Sequence, residues 1–272
     1  MKMYKGFNDD MTCRGFQYEE GKEYEENEAN LCEKGFHACE NPIDCLGYYA
    51  PNNSVYREVE LNEVSEETSS DSKRVGKEIK IGAKIDVANM VKIAFDFVKS
   101  NCTNDESGGN YSALNGGDRS ALRGGYWSAL NGGDRSALNG GDGSALNGGD
   151  GSALNGGYRS ALNGGNYSAL NGGGCSALNG GNWSALNGGN WSALNGGDGS
   201  ALNGGYRSAL NGGNYSALNG GGCSALNGGN WSALNGGNWS ALNGGNYSAL
   251  NGGYKSALNG GHKSALRGGN GS

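Results

Sequence analysis

Gly108-Gly-Asn-Tyr-Ser-Ala-Leu-Asn115 opens a run of twenty octapeptides, Gly-Gly-x-y-Ser-Ala-Leu-Asn, that fills the C-terminal three-fifths of the chain. The serines recur every eight residues from Ser112 to Ser264, and a partial unit ends at Ser272. So short and strict a period predicts stacked, near-identical coils. Two glycines in every eight residues exclude an α-helix. A Gly-rich flexible linker has no need of Leu at every eighth position, whereas a one-dimensional core does.

The unit reads as a short strand, x-y-Ser-Ala-Leu, followed by an Asn-Gly-Gly turn. Position y holds Trp, Tyr, Arg, Lys, Gly or Cys, a mixture no shared core slot accommodates. Strand alternation then points y and Ala outward, and Ser and Leu inward. A small residue two places before an inward Leu resembles the logic of pentapeptide-repeat solenoids, at a period of eight instead of five.

The variable sites indicate how many units make a coil. Tyr occupies x at Tyr126, Tyr158, Tyr206 and Tyr254, separated by multiples of sixteen residues. The intervening units carry Asp118, Asp134, Asp150, Asn166, Asn182, Asp198, Asn214, Asn230, Asn246 and His262. Two units per coil sort these onto opposite sides. The expected fold is mainly β: a two-sided β-solenoid of about ten 16-residue coils, roughly 48 Å long at one strand spacing per coil. Residues 150–197 and 198–245 are identical, so coil number has changed by three coils at a time.

Two outward ladders follow. One carries Tyr167, Trp183, Tyr215, Trp231 and Tyr247. The other carries Trp127, Arg159, Trp191, Arg207 and Trp239. Exposed Trp, Tyr and Arg dominate protein interfaces, so these ten residues are the candidate binding strips. The same rings also serve to cover the thin sheets and hold coils together.

Charge divides near residue 107. Residues 1–107 hold 22 acidic and 13 basic side chains, and the repeats hold 5 and 8. A mildly basic rod does not mimic duplex DNA, and its charge is too sparse for strong binding to phosphates. Residues 1–5, Met-Lys-Met-Tyr-Lys, have no apolar run behind them, and no stretch is long enough to span a membrane. Seven cysteines, with Cys175 and Cys223 about three strand spacings (roughly 14 Å) apart, suggest reduced thiols and a cytoplasmic protein. The repeats lack the nine-residue period and regular Asp of calcium-binding solenoids, and the flat Thr face of ice-binding ones. No metal or cofactor is expected.

Residues 1–107 read as a small α+β domain capping a rod of residues 108–272. Expected strands cover Met3–Phe7, Cys13–Tyr18, Gly35–Cys39, Val55–Leu61 and Val75–Ile85. Asn41-Pro42 starts a short helix. A second helix over Val87–Ser100 places Val87, Val91, Ala94, Phe95 and Val98 on one face. Cys32, His37, Cys39 and Cys45 cluster in sequence, but their spacing is unlike paired zinc knuckles and reads as buried thiols. Arg123 and Arg267 replace the turn Asn near the two ends, as end treatment or a terminal interface.

The sequences Cys13-Arg-Gly-Phe-Gln-Tyr18, Gly21-Lys-Glu-Tyr24, Gly35-Phe-His-Ala-Cys39 and Glu40-Asn-Pro-Ile-Asp44 resemble an uncharacterised domain of phage and prophage proteins. There it often precedes short Ser-Ala-containing repeats. The resemblance implies a phage-type protein in a bacterial host cell and supplies no activity. The order of Arg14, the Gly-Phe-His turn at His37, the helix ending Gly-Tyr-Tyr and the strand Val55–Leu61 is also similar to ADP-ribosyltransferase-type folds. That likeness implies Arg14 and His37 at a nucleotide and Glu58 or Glu60 as an acid. The Ser-Thr-Ser that usually follows that family's central strand is absent here.

Three functions follow. The first is a non-enzymatic scaffold whose aromatic/Arg strip meets a protein partner, a host defence component among them. The second is self-assembly into a dimer or fibre. The third is a nucleotide-acting N-terminal enzyme with the rod as its targeting arm.

Overall fold

The computed structural model describes residues 1–66 and 71–272. The N-terminal domain is built on strands β1 (Lys2–Asn8), β4 (Glu23–Glu25), β5 (Phe36–Cys39), β6 (Ser54–Val64) and β7 (Lys73–Ile85), with a small hairpin of β2 (Thr12–Cys13) and β3 (Phe16–Gln17). The sheet order is β4-β7-β5-β1-β6, and β7 also pairs with β6. The strands β7, β5, β1 and β6 therefore close into a ring. Alternation on these strands sends Met3, Phe7, Val59, Leu61, Ile79 and Ile81 into one core. Where a short helix is expected after Asn41, Pro42–Gly47 forms a 3-10 turn, with the Asn41 side chain accepting from the Ile43 N–H. Helix α1 spans Val87–Ser100, and its cap Asp86 accepts from the Asn89 N–H.

The repeats form a two-sided parallel β-solenoid. Among the described residues its flanks are sheets of eleven and ten strands. Register is sixteen residues: Ala113 pairs with Ala129, and Ala121 with Ala137. Leucines of both flanks meet in one core from Leu122 to Leu250. Each Leu adds roughly 1.5–3 kcal/mol of burial. Serines are buried beside them and satisfy the backbone. Ser136 Oγ donates to the Gly117 carbonyl (3.2 Å) and accepts from the Ser120 N–H (3.3 Å). Asn side chains ladder outside the core, as from Asn171 Nδ2 to Asn155 Oδ1 (2.8 Å).

The turn is not where Asn-Gly places it. The strand is Ala-Leu-Asn, and the corner is x-y, with y left-handed throughout, as at Trp183 (φ 57°) and Tyr215 (φ 58°). The Gly-Gly pair is required by space. A Cβ on Gly164 would lie 2.7 Å from Ser168 Cβ, and one on Gly165 would lie 2.1 Å from Asp150 Oδ1. That Asp150 oxygen is occupied, since it accepts the Asn166 N–H of the next coil (2.7 Å). The small polar residues at x thus cap successive coils, down to His262 N–H on Asn246 Oδ1 (2.7 Å).

The N-terminal domain does not cap the rod's end, as the sequence suggests. Strand β8 (Asn104–Ser107), fully exposed, pairs with Ser120–Arg123 and begins the eleven-stranded flank, so the rod starts before residue 108. Helix α1 instead lies along that flank. Its buried Met90, Val91, Ala94 and Val98 pack against Ala137, Ala153, Ala169 and Ala185. Fourteen helical residues span about 21 Å, which matches five strands at ~4.8 Å spacing. The domain core of Ile43, Leu46, Tyr56 and Ile85 joins the same cluster.

Candidate functional site

Docking of α1 makes the two flanks unequal. On the covered flank Trp183 is half-buried and packs into the domain interface. Tyr167 sits beside Gly47, where an added Cβ would touch its ring at 3.4 Å. Further along, Asn52 Nδ2 donates to the Trp231 carbonyl (2.8 Å). Beyond the helix Tyr215, Trp231 and Tyr247 stack in series, with interplanar angles of 6° and 5°. His262 closes the row edge-on to Tyr247. The expected strip on this flank is therefore divided: Trp183 belongs to the interface, and Tyr215 onward forms a stack of exposed rings.

The ten-stranded flank has no domain over it. Its outward alanines, such as Ala145, Ala161, Ala177 and Ala193, are exposed. Here rings and cations form compact triads. Trp191 meets Tyr206 edge-on at 6.4 Å, and the Arg207 guanidinium lies 4.6 Å from the Trp191 ring and 5.2 Å from Tyr206. Trp239, Tyr254 and Lys255 repeat the arrangement at 5.8, 4.8 and 5.2 Å. Arg159 lies 5.1 Å over Tyr158. Trp127 is exposed, its ring crossing Gly143 of the next coil, where a Cβ would meet it at 2.6 Å. The tyrosines at x are the members that the sequence reading left out. Their signal was present: each follows a y residue by fifteen positions, one coil less one step.

In the N-terminal domain a cavity of ≈ 330 Å³ brings Arg14 and His37 together, while Glu58 and Glu60 are not among its lining residues. Glu58 pairs with Lys2 at 2.8 Å. The acid implied by the transferase likeness is therefore not in this cavity. His37 is a strut: Nδ1 meets the Gly35 carbonyl (3.1 Å), and Nε2 accepts the Cys32 N–H (2.9 Å). Burial, then Lys5, Arg14 and Lys73 nearby, hold its pKa below the ordinary histidine value. Cys39 and Cys45 are buried and Cys32 is exposed, and no metal-holding group of three or more side chains occurs among the described residues. The hydrogen bond with the neighbouring Cys45 thiol, then burial, push the Cys39 thiol well up, opposite to an activated thiolate.

No described helix is long and apolar enough to cross a membrane. Residues 1–93 match the model of DUF7666, a domain of unknown function, and the match ends within α1. No curated protein matches the chain, and no solved structure does.

Proposed function

We propose that this protein is a non-enzymatic interaction module whose open solenoid flank presents ring–cation triads to a protein partner. One observation carries the reading. Position y is left-handed in every complete repeat, yet seventeen of the twenty carry a side chain other than glycine. An L-residue there costs about 1–2 kcal/mol relative to ordinary backbone, and bulky ones are unusual. Gly143, Gly151 and Gly199 show that glycine fits the same corner. Trp191, Arg207 and Trp239 are thus kept at a backbone cost, on a flank where no domain packs over them. Interface anchors have this composition.

The resemblance of the N-terminal sequence to phage and prophage proteins extends the proposal to a host protein as partner, in the bacterial cytoplasm. The repeat of the triad after three coils gives two equivalent anchors, about 14 Å apart along the rod.

The experiment compares capture from host lysate by wild type and by a Trp191→Ser/Trp239→Ser variant, followed by titration of the purified partner. The expected result is one partner whose affinity falls at least tenfold in the variant. Equal affinity would refute the open flank as the binding surface. A concentration-dependent mass lost in the variant, with no partner, would favour self-assembly.

A further inference from the structure

The N-terminal cavity contains a charge that the fold does not explain. Strand β1 alternates, so Met3, Lys5 and Phe7 share a face, and Met3 and Phe7 are core residues. Lys5 lies between them, only 8% exposed, and lines the cavity. Its ammonium donates to the His37 carbonyl (2.8 Å) and lies 5.7 Å from the Phe7 ring. It makes no ion pair among the described residues, whereas Lys2, Lys34, Arg57, Arg74, Lys77 and Lys80 each reach a carboxylate. Burying an ammonium without a counter-charge is unfavourable, and an apolar residue would serve the core better.

Two further cations line the same cavity. Arg14 is exposed and likewise outside every ion pair among the described residues. Lys73 donates to Tyr48 Oη (3.0 Å). All three line this one cavity together with His37. This happens in a region with nine more acidic than basic side chains, of which only Glu25 and Glu26 line the cavity. The remaining wall is largely aromatic, with Phe16, Tyr18, Phe36 and Tyr49. Three cations lining one cavity suit an anion, and aromatic walls suit a planar ring.

We propose that this cavity binds a small ligand combining a planar ring with a phosphate group, of the nucleoside monophosphate type, with Lys5, Arg14 and Lys73 facing the phosphate. The volume, ≈ 330 Å³, is at the small end for ligand sites and suits one such unit. The site is a binding site, with no carboxylate from β6 in its wall. It is independent of the solenoid reading.

The test is calorimetric titration of the full chain with AMP, adenosine and inorganic phosphate separately. Wild type is expected to bind AMP more tightly than either fragment. Lys5→Met and Arg14→Ala should each weaken AMP at least tenfold, and Lys22→Met, outside the cavity, should not. Without ligand, Lys5→Met should melt at or above the wild-type temperature, because the unpaired charge is gone. No AMP binding by wild type at millimolar concentration would overturn the proposal, as would unchanged affinity in Lys5→Met. Phosphate binding as tight as AMP would overturn the ring half of it. Unfolding of Lys5→Met would show Lys5 to be structural and remove it from the site, leaving Arg14→Ala, at an exposed position, to decide whether the cavity binds.

Discussion

The indole of Trp231 lies parallel to the ring of Tyr247, 4.3 Å between centroids and 5° between planes. The two residues are sixteen positions apart and occupy the same corner of successive coils. Their contact is a direct product of the period, because only a 16-residue register superposes them. Stacked pairs contribute about 0.5–1.5 kcal/mol beyond the area they bury. A double-mutant cycle of Trp231→Ala and Tyr247→Ala, read by chemical denaturation, should return a coupling in that range. Trp231 and Trp239 are on opposite flanks, and their cycle should return no more than about 0.5 kcal/mol.

Ala169 and Ala177 occupy the same repeat position and differ only in flank. Ala169 is 2% exposed beneath α1, and Ala177 faces solvent. A charged side chain at 169 would be buried without a partner, at a cost of several kcal/mol. Ala169→Asp should therefore undock α1 and expose the segment Val98–Asn104 to protease. Ala177→Asp should change the melting free energy by less than about 0.5 kcal/mol. Equal sensitivity of the two variants would mean that the domain does not rest on this flank.

That contrast also shows where sequence reasoning stopped. The coil size was readable because Tyr126, Tyr158, Tyr206 and Tyr254 share one flank and Asp118 to His262 the other. Helix α1 was readable from its apolar spacing and Asp86 cap. Its docking site was not, since Ala is the outward residue on both flanks and the repeat contains nothing to break the tie. Trp183 looked equivalent to Trp191 for the same reason, and one is half-buried while the other is exposed. The turn was misplaced because Asn-Gly is so strong a local signal. Here tertiary crowding by Ser168 and Asp150 explains the glycines instead. The burial of Lys5 is not legible in the sequence, because one Lys in a short strand has no pattern.

The two kinds of glycine give a separate test. Gly165 has no room, since a Cβ there would approach Asp150 Oδ1 to 2.1 Å and Asp150 N to 2.8 Å. Gly151 is a left-handed y residue (φ 65°), with Arg135 Cγ at 3.4 Å as its nearest neighbour. Gly165→Ala should destabilise by about 1–3 kcal/mol through overpacking and loss of the Asp150–Asn166 bond. Gly151→Asn should be close to neutral, because Asn tolerates that backbone. Denaturant midpoints of the two variants, at unchanged slope, decide the point.

His37 sets a pH dependence of definite sign. Burial first, then the charges of Lys5, Arg14 and Lys73, lower its folded-state pKa below the ordinary histidine value of 6.5. Between that lowered value and about 6.5 the unfolded chain binds more protons than the folded one. The contribution to stability is therefore fully present above the unfolded pKa and is lost as pH falls through the window. The Nε2 lone pair that receives the Cys32 N–H is also the one a proton would occupy. His37→Gln retains an acceptor and removes the titration. The melting temperature of the wild type should fall from pH 7 to pH 5 more steeply than that of His37→Gln. Parallel curves would mean that the imidazole stays as protonated in the folded domain as in the unfolded chain.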